Sequence, residues 1–154
     1  MQNKTLEQRI QMLEDVAAIK AAVDAFSNLA DQKNIATQML LFTEDAVVET
    51  YFEGELFAAM QGRTQIEETF TNFIAQFDSM YHMNGQHTSQ IHGDHATAEH
   101  YCLVVLTHTV DGKKQRNTNG VIYNDEYVRQ KGQWLIAKRT ANFTWRDNHI
   151  VIPS

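Results

Sequence analysis

The sequence predicts an α+β domain in which a cone-shaped, curved antiparallel (mixed) sheet wraps around a long N-terminal helix. Two observations support this prediction. Apolar residues recur at helical spacing near the N-terminus and again before residue 78, whereas long segments rich in Val, Ile, Tyr and Trp, separated by turn sequences, fill the second half. Helices gathered before an antiparallel sheet are typical of α+β architecture, in which the helices cover one face of the sheet.

Three helices are expected, over about residues 6–30, 34–41 and 64–77. In the first and third, apolar residues recur at three- and four-residue steps, which indicates a stripe that packs against the core. The predicted stripe residues are Val16, Ile19, Val23, Phe26 and Ala30 in the first helix and Ile66, Phe70, Phe73 and Phe77 in the third.

Six strands are expected. The segment DAVVETYFEGELFAAMQG, before the third helix, predicts a strand, a turn at Glu53-Gly54-Glu55 and a second short strand. From Tyr81 onward, hairpin turns at 92–94, 111–113 and 131–132 divide the chain into a four-stranded antiparallel meander. A curved sheet closed on one side by helices forms a cone, and a ligand can enter through its open end.

The composition is that of one globular domain covering residues 1–154, with 43% hydrophobic and 21% charged residues. A net charge of −6 argues against nucleic acid or anionic lipid as a partner, because these partners need clustered Lys and Arg. No apolar run is long enough to cross a membrane, and the N-terminal segment lacks the apolar centre of a signal peptide. The single cysteine, Cys102, fits a reducing compartment, so we expect a cytoplasmic protein.

Five of the seven histidines lie within residues 81–100, in YHMNGQHTSQIHGDHATAEH. Side chains alternate between the two faces of a strand, so His82 and His87 differ in parity. Only one of the two faces the interior unless Gly85 marks a bulge. We predict that His82 faces inward and that His87 faces outward.

The other histidines are divided by their positions. His92 and His95 flank a hairpin turn and are expected to be solvated. His100 and His108 share one face of the next strand, where each is either a pocket residue or a hydrogen-bonded histidine of the sheet. No zinc-ligand spacing is present, so no metal is expected; an alternative metal site would combine His82, His100 and His108 across neighbouring strands.

Five segments, in this order, resemble the SnoaL-like group of the nuclear transport factor 2-like superfamily: DVAAIKAAVDAFSNLADQKN, LFTEDAVVET, GRTQIEETF, HGDHATAEHYC and GVIYNDEYVRQKGQWLIAKR. The group includes scytalone dehydratase, bile acid 7α-dehydratase and hexachlorocyclohexane dehydrochlorinase, together with isomerases and non-enzymatic members. The resemblance implies the cone-shaped fold, a small hydrophobic ligand, cyclic or open-chain, no cofactor, and a homodimer or homotrimer.

The elimination enzymes of this group pair an Asp at the end of the first long helix with a His on the strand after the third helix. Asp31 and His82 occupy these positions here. An imidazole can remove a proton from carbon, and a neighbouring carboxylate fixes its tautomer and stabilises the imidazolium. The resemblance therefore implies a dehydratase-type lyase or an isomerase in which His82 is the general base and Asp31 orients it.

An apolar pocket with few polar groups is expected around this pair, and a proton donor must serve the leaving hydroxyl. The candidate donors are Tyr51, Tyr81 and Tyr123, with Thr50 and Asn119 as weaker ones. The residues predicted to bind the substrate are Phe26, Val48, Tyr51, His100, Asn119, Val121 and Tyr123.

Two positions depart from the elimination enzymes. Ala30 and Phe26 stand where scytalone dehydratase and the bile acid enzyme, respectively, carry a tyrosine. Neither enzyme's acid machinery is therefore complete, and a non-catalytic binding or oligomerisation module of the same fold is the alternative interpretation.

Overall fold

The structure, a computed structural model, describes residues 4–151 and confirms the α+β class with three helices and a mixed six-stranded sheet. Two of the helices precede the sheet, and the third follows its first hairpin. The elements are α1 (Leu6–Asp31), α2 (Ile35–Gln38), a 3-10 helix (Met39–Leu41), β1 (Phe42–Phe52), β2 (Glu55–Gln61), α3 (Arg63–Ile74), β3 (Ser79–His92), β4 (His95–Val110), β5 (Lys113–Gln130) and β6 (Gln133–Ile150).

The strands lie in the order β2-β1-β6-β5-β4-β3. All neighbours are antiparallel except β1 and β6, which run parallel and join the first hairpin to the C-terminal meander. Three of the hairpin turns place two successive residues at positive φ, for example Glu53 at 49° and Gly54 at 88°. Two-residue turns of this kind match the right-handed twist of the flanking strands, which explains why the predicted turn sequences form hairpins.

The inner stripe of α1 packs against the sheet through Ile19, Val23, Phe26 and Ala30, all of which are buried. The prediction for Val16 is wrong, since this side chain is 40% exposed. Every residue from Leu6 to Glu14 is exposed as well, so the first turns of α1 extend beyond the core. No helix within residues 4–151 is both long and apolar enough to cross a membrane.

A bulge in β3 changes which side chains face α1. Asn84 pairs with Cys102 and His87 pairs with His100, so two residues of β3 oppose one residue of β4 between these pairs. The extra residue reverses the alternation of faces. His87 therefore lies against the inward-facing His100, with ring centroids 6.4 Å apart, and the prediction that it faces outward is wrong.

The buried carboxylate of Asp15 links α1 to the hairpin between β5 and β6 through hydrogen bonds. Asp15 accepts hydrogen bonds from Arg129 Nη1 at 2.7 Å and from Trp134 Nε1 at 3.0 Å. Two further bonds come from Arg129 Nη2 at 3.2 Å and from Gln11 Nε2 at 3.1 Å. Burial raises the pKa of Asp15, but the hydrogen bonds from Trp134, Arg129 and Gln11 outweigh burial and hold this pKa below its usual value.

We expect Asp15→Asn to lower the Tm by several degrees near pH 7, because a neutral amide cannot replace the charge that Arg129 and Trp134 bind. The deficit should shrink below about pH 4, since the carboxylate contributes less once it takes up a proton. Thermal unfolding at several pH values measures both effects. Asp94→Asn is the control, because Asp94 also accepts from Arg129 but its side chain is 76% exposed. Equal losses in the two variants would contradict the assignment.

Candidate active site

A cavity of about 160 Å³ lies between α1, α3 and the inner face of the sheet. A cavity of about this volume can hold one benzene-sized ring. Most of its wall is apolar, and six phenylalanines contribute to it: Phe26, Phe52, Phe57, Phe70, Phe73 and Phe143. The polar wall residues are Gln38, Thr50, Thr69, His82, Tyr123 and Arg139.

The last residue of α1 and an inward-facing residue of β3 meet at the wall of this cavity. His82 Nδ1 lies 2.6 Å from Asp31 Oδ1, and the backbone N–H of His82 donates to Asp31 Oδ2 at 3.1 Å. The side chain of His82 is only 9% exposed. A proton on Nδ1, shared with the carboxylate, leaves Nε2 as the basic nitrogen. The pairing of Asp31 and His82 that the family resemblance implies is therefore present as a contact.

A second link between α1 and β3 fixes the distance between these two residues. Asn84, two positions beyond His82 on the same face, accepts a hydrogen bond from Ser27 Oγ at 3.1 Å. Its amide nitrogen donates to Asp24 Oδ1, also at 3.1 Å. The helix end that carries Asp31 is thus held against the strand that carries His82.

Arg139 lines the cavity and was not among the site residues expected from the sequence. It is 1% exposed, and its Nε and Nη2 donate to the two carboxylate oxygens of Asp125 at 2.8 and 2.7 Å. The guanidinium lies between the rings of Phe26 and Tyr123, 4.0 and 4.7 Å from their centroids. Its Nη1 is buried without a hydrogen-bond partner among the described residues. A buried donor of this kind normally has an acceptor, and the cavity is where a ligand could supply one.

A signal for Arg139 was present in the sequence. Asp125 has the same parity as Val121 and Tyr123, both buried on the inner face of β5, so its carboxylate had to be buried with them. A buried carboxylate needs a cationic or hydrogen-bonding partner. Arg139 is the residue directly opposite Asp125 on β6.

Three of the seven predicted substrate-binding residues line the cavity and four do not. Tyr51 falls outside because its neighbours on β1, Thr50 and Phe52, take the inner face; its hydroxyl donates to Glu49 Oε2 at 3.3 Å. Among the candidate acids, Tyr81 is excluded as well, since it is 58% exposed. The residues that line the cavity are Phe26, Val48 and Tyr123, and those that do not are Tyr51, His100, Asn119 and Val121.

His100, Asn119 and Val121 face inward but lie in the core outside the cavity wall. His100 stacks on the ring of Tyr123, with centroids 4.7 Å apart, so Tyr123 rather than His100 reaches the cavity. The amide of Asn119 donates to the backbone oxygen of Val104 at 3.1 Å. Strand parity predicted their face correctly, but it does not say how far along the strand the cavity extends.

The alternative metal site is not formed by these side chains. Within residues 4–151, no three His, Cys, Asp or Glu side chains come close enough together to ligate an ion. His82 is engaged with Asp31, and His108 packs edge-on against Phe77 at a centroid distance of 5.9 Å. Cys102 is buried, and burial raises the pKa of its thiol to about 12, so it stays protonated near neutral pH.

The chain matches one known protein family over most of its length. The profile of the SnoaL-like domain matches residues 11–140. The chain belongs to the SnoaL-like family. No curated protein matches it.

Solved structures with the same fold include three proteins that align with nearly the whole chain. A candidate scytalone dehydratase from Novosphingobium aromaticivorans is 20% identical, with a TM-score of 0.77 and 91% of each chain covered. A type 2 hexachlorocyclohexane dehydrochlorinase is 15% identical, with a TM-score of 0.78, covering 94% of this chain and 95% of that chain. A nuclear transport factor 2-like protein with a cystatin-like fold, also from N. aromaticivorans, is 23% identical, with a TM-score of 0.70 and 92% of each chain covered. At these identities the likeness establishes the fold.

The buried His100 should make stability fall in acid. Burial, and then the charge of Arg139, lowers the pKa of His100 to about 3, whereas an unfolded histidine titrates near 6.5. Between these values the unfolded chain holds the additional proton, so the free energy of unfolding decreases as the pH falls. We expect His100→Phe to reduce this slope by up to about 1.4 kcal/mol per pH unit, as measured by urea unfolding from pH 7 to pH 4.

The control for this experiment is His92→Phe, which alters an exposed histidine of the β3–β4 turn. Its slope should match that of the unmodified protein. An undiminished slope in His100→Phe would show that His100 titrates normally and would contradict the prediction.

Proposed function

We propose that the protein is a cofactor-independent lyase of the dehydratase type, or an isomerase, acting on a small one-ring hydrophobic molecule by general base catalysis. The observation that carries this proposal is the short contact between His82 Nδ1 and Asp31 Oδ1, 2.6 Å, at the wall of an apolar cavity. The side chain of His82 is 9% exposed and that of Asp31 is 26% exposed, so the pair is partly removed from water, and its position against a cavity suits proton transfer.

His82 Nε2 removes a proton from the carbon next to a carbonyl of the substrate, and electrons move onto the carbonyl oxygen. Asp31 keeps the second proton on Nδ1 and stabilises the positive charge as it forms on the ring. In elimination, the β-hydroxyl then leaves with a proton as water and a conjugated double bond forms. In isomerisation, His82 returns the proton to a different carbon, so one base serves both steps.

Arg139 and Tyr123 supply the remaining groups. The unpartnered Nη1 of Arg139 can donate to the oxygen on which negative charge develops, and Asp125 holds the guanidinium in place for this. Tyr123 is the only one of the three predicted tyrosine donors on the cavity wall. Burial raises its pKa above the usual value, so the hydroxyl stays protonated and can donate to the leaving group.

Turnover of one-ring β-hydroxy ketones tests this mechanism. The first substrate is 3-hydroxycyclohexanone, whose elimination product is conjugated and absorbs in the ultraviolet. We expect His82→Ala and Asp31→Asn each to lower kcat/KM by about 10²- to 10⁴-fold, because the base and its orienting carboxylate act as a unit.

His92→Ala, which alters an exposed histidine, is the control and should keep full activity. In D₂O, a product that keeps its hydroxyl, carries deuterium and has its carbonyl or double bond at a different carbon would assign isomerisation rather than elimination. Turnover retained in both His82→Ala and Asp31→Asn would contradict the proposed mechanism. Binding of the β-hydroxy ketones without turnover, unaffected by His82→Ala or Asp31→Asn, would favour the non-catalytic binding module.

We also propose that the chain forms a homodimer or homotrimer through the outer face of β3 and β4. Exposed apolar side chains are adjacent there, namely Tyr81, Met83, Tyr101 and Leu103. None of these four side chains is charged, so association with a second copy through them does not require a charged group to be buried.

Sedimentation velocity tests the assembly. We expect a dimer or trimer for the unmodified chain and a shift to monomer in Leu103→Asp, because a buried unpaired carboxylate opposes association. The control is Thr97→Asp, an exposed position farther along β4. A monomeric unmodified chain would rule out the proposal.

A further inference from the structure

A second residue of the cavity wall carries a buried polar atom without a partner among the described residues. This atom is an acceptor, whereas Arg139 Nη1 is a donor. Gln38, the last residue of α2, is 0% exposed and lines the cavity. Its Nε2 donates to the backbone oxygen of Phe26 at 2.9 Å. That bond fixes the orientation of the amide, because the reverse orientation would set two oxygens against each other. Oε1 is buried and has no partner among the described residues.

Buried amide oxygens in folded proteins nearly always accept a hydrogen bond, and leaving one unpaired is unfavourable. The wall around Gln38 is largely apolar, with phenylalanines as its most frequent residue. An acceptor maintained in such a wall at full burial indicates that the occupant of the cavity brings a donor. Arg139 Nη1, a buried donor without a partner, indicates in the same way that the occupant brings an acceptor.

We infer that Gln38 is a specificity-determining residue that accepts a hydrogen bond from a hydroxyl group of the substrate, while Arg139 donates to a carbonyl-type oxygen of the same molecule. The substrate class is therefore a one-ring hydroxylated ketone or a close chemical equivalent. This inference rests on the proposed function for the location of its site, but it concerns recognition and not the proton transfer by His82.

Binding of ketones that cannot undergo β-elimination tests the inference without turnover. Cyclohexanone provides only the acceptor, whereas 2-hydroxycyclohexanone and 4-hydroxycyclohexanone add a hydroxyl at positions that are not β to the carbonyl. Dissociation constants from NMR titration should show at least one hydroxylated ketone binding roughly 3- to 10-fold more tightly than cyclohexanone. In Gln38→Leu this preference should disappear or reverse, because the acceptor is gone.

Two further variants keep the test decisive. Gln38→Met preserves an unbranched side chain and should also lose the preference, which covers the case in which Gln38→Leu does not fold. Thr43→Val is the matched control, since Thr43 Oγ1 is likewise buried and unpartnered but Thr43 does not line the cavity. It should keep the preference.

Two results would overturn the inference. In the first, no hydroxylated ketone binds the unmodified protein more tightly than cyclohexanone, which includes the case in which none binds. In the second, the preference for a hydroxylated ketone survives in both Gln38 variants. Repeating the titration in His82→Ala separates the two proposals. If the unmodified protein prefers hydroxylated ketones but shows no turnover, recognition by Gln38 stands and the proposed catalysis by His82 fails. If turnover depends on His82 but hydroxylated ketones bind no more tightly than cyclohexanone, the proposed catalysis stands and the proposed role of Gln38 fails.

Discussion

The buried ion pair between Arg139 and Asp125 is the constraint on which the cavity depends. A buried pair offsets its desolvation when its geometry is good and further hydrogen bonds satisfy its polar atoms, so each atom left unbonded carries a cost. Here two charge-assisted bonds join the residues, and Tyr127 donates to Asp125 Oδ2 at 3.0 Å. The pair holds a guanidinium between two aromatic rings at the cavity wall. Nη1 of that guanidinium has no partner among the described residues. The interaction that links β5 to β6 therefore also gives the apolar cavity a hydrogen-bond donor in a fixed position.

The fold was predictable because its signals are local. Helical periodicity located α1, and two-residue turns such as Glu53-Gly54 set the hairpins. The contact between Asp31 and His82 could be anticipated only through the family resemblance, since the two residues are far apart in sequence. The errors also have local causes: Val16 lies where α1 leaves the core, and the bulge in β3 changed the parity of His87.

The composition of the cavity wall was less predictable for a different reason. Parity alone could have excluded Tyr51 and indicated Asp125, since both lie beside residues of known face. Parity could not exclude Val121 or Asn119, because the depth of a cavity depends on which helices close it. No pattern in the sequence indicated Gln38. Its proposed role rests on two features of its amide: Nε2 donates to the backbone oxygen of Phe26 in α1, and Oε1 has no partner among the described residues.

The bulge in β3 acts as a phase shift in an otherwise regular alternation. Before it, even-numbered residues such as His82 and Asn84 face α1; after it, odd-numbered residues such as His87 do. The strand is thereby divided into two segments whose inner faces are encoded independently. A one-residue insertion or deletion between the bulge and the β3–β4 turn would therefore exchange the inner and outer faces of the residues that follow it, without changing the face of His82.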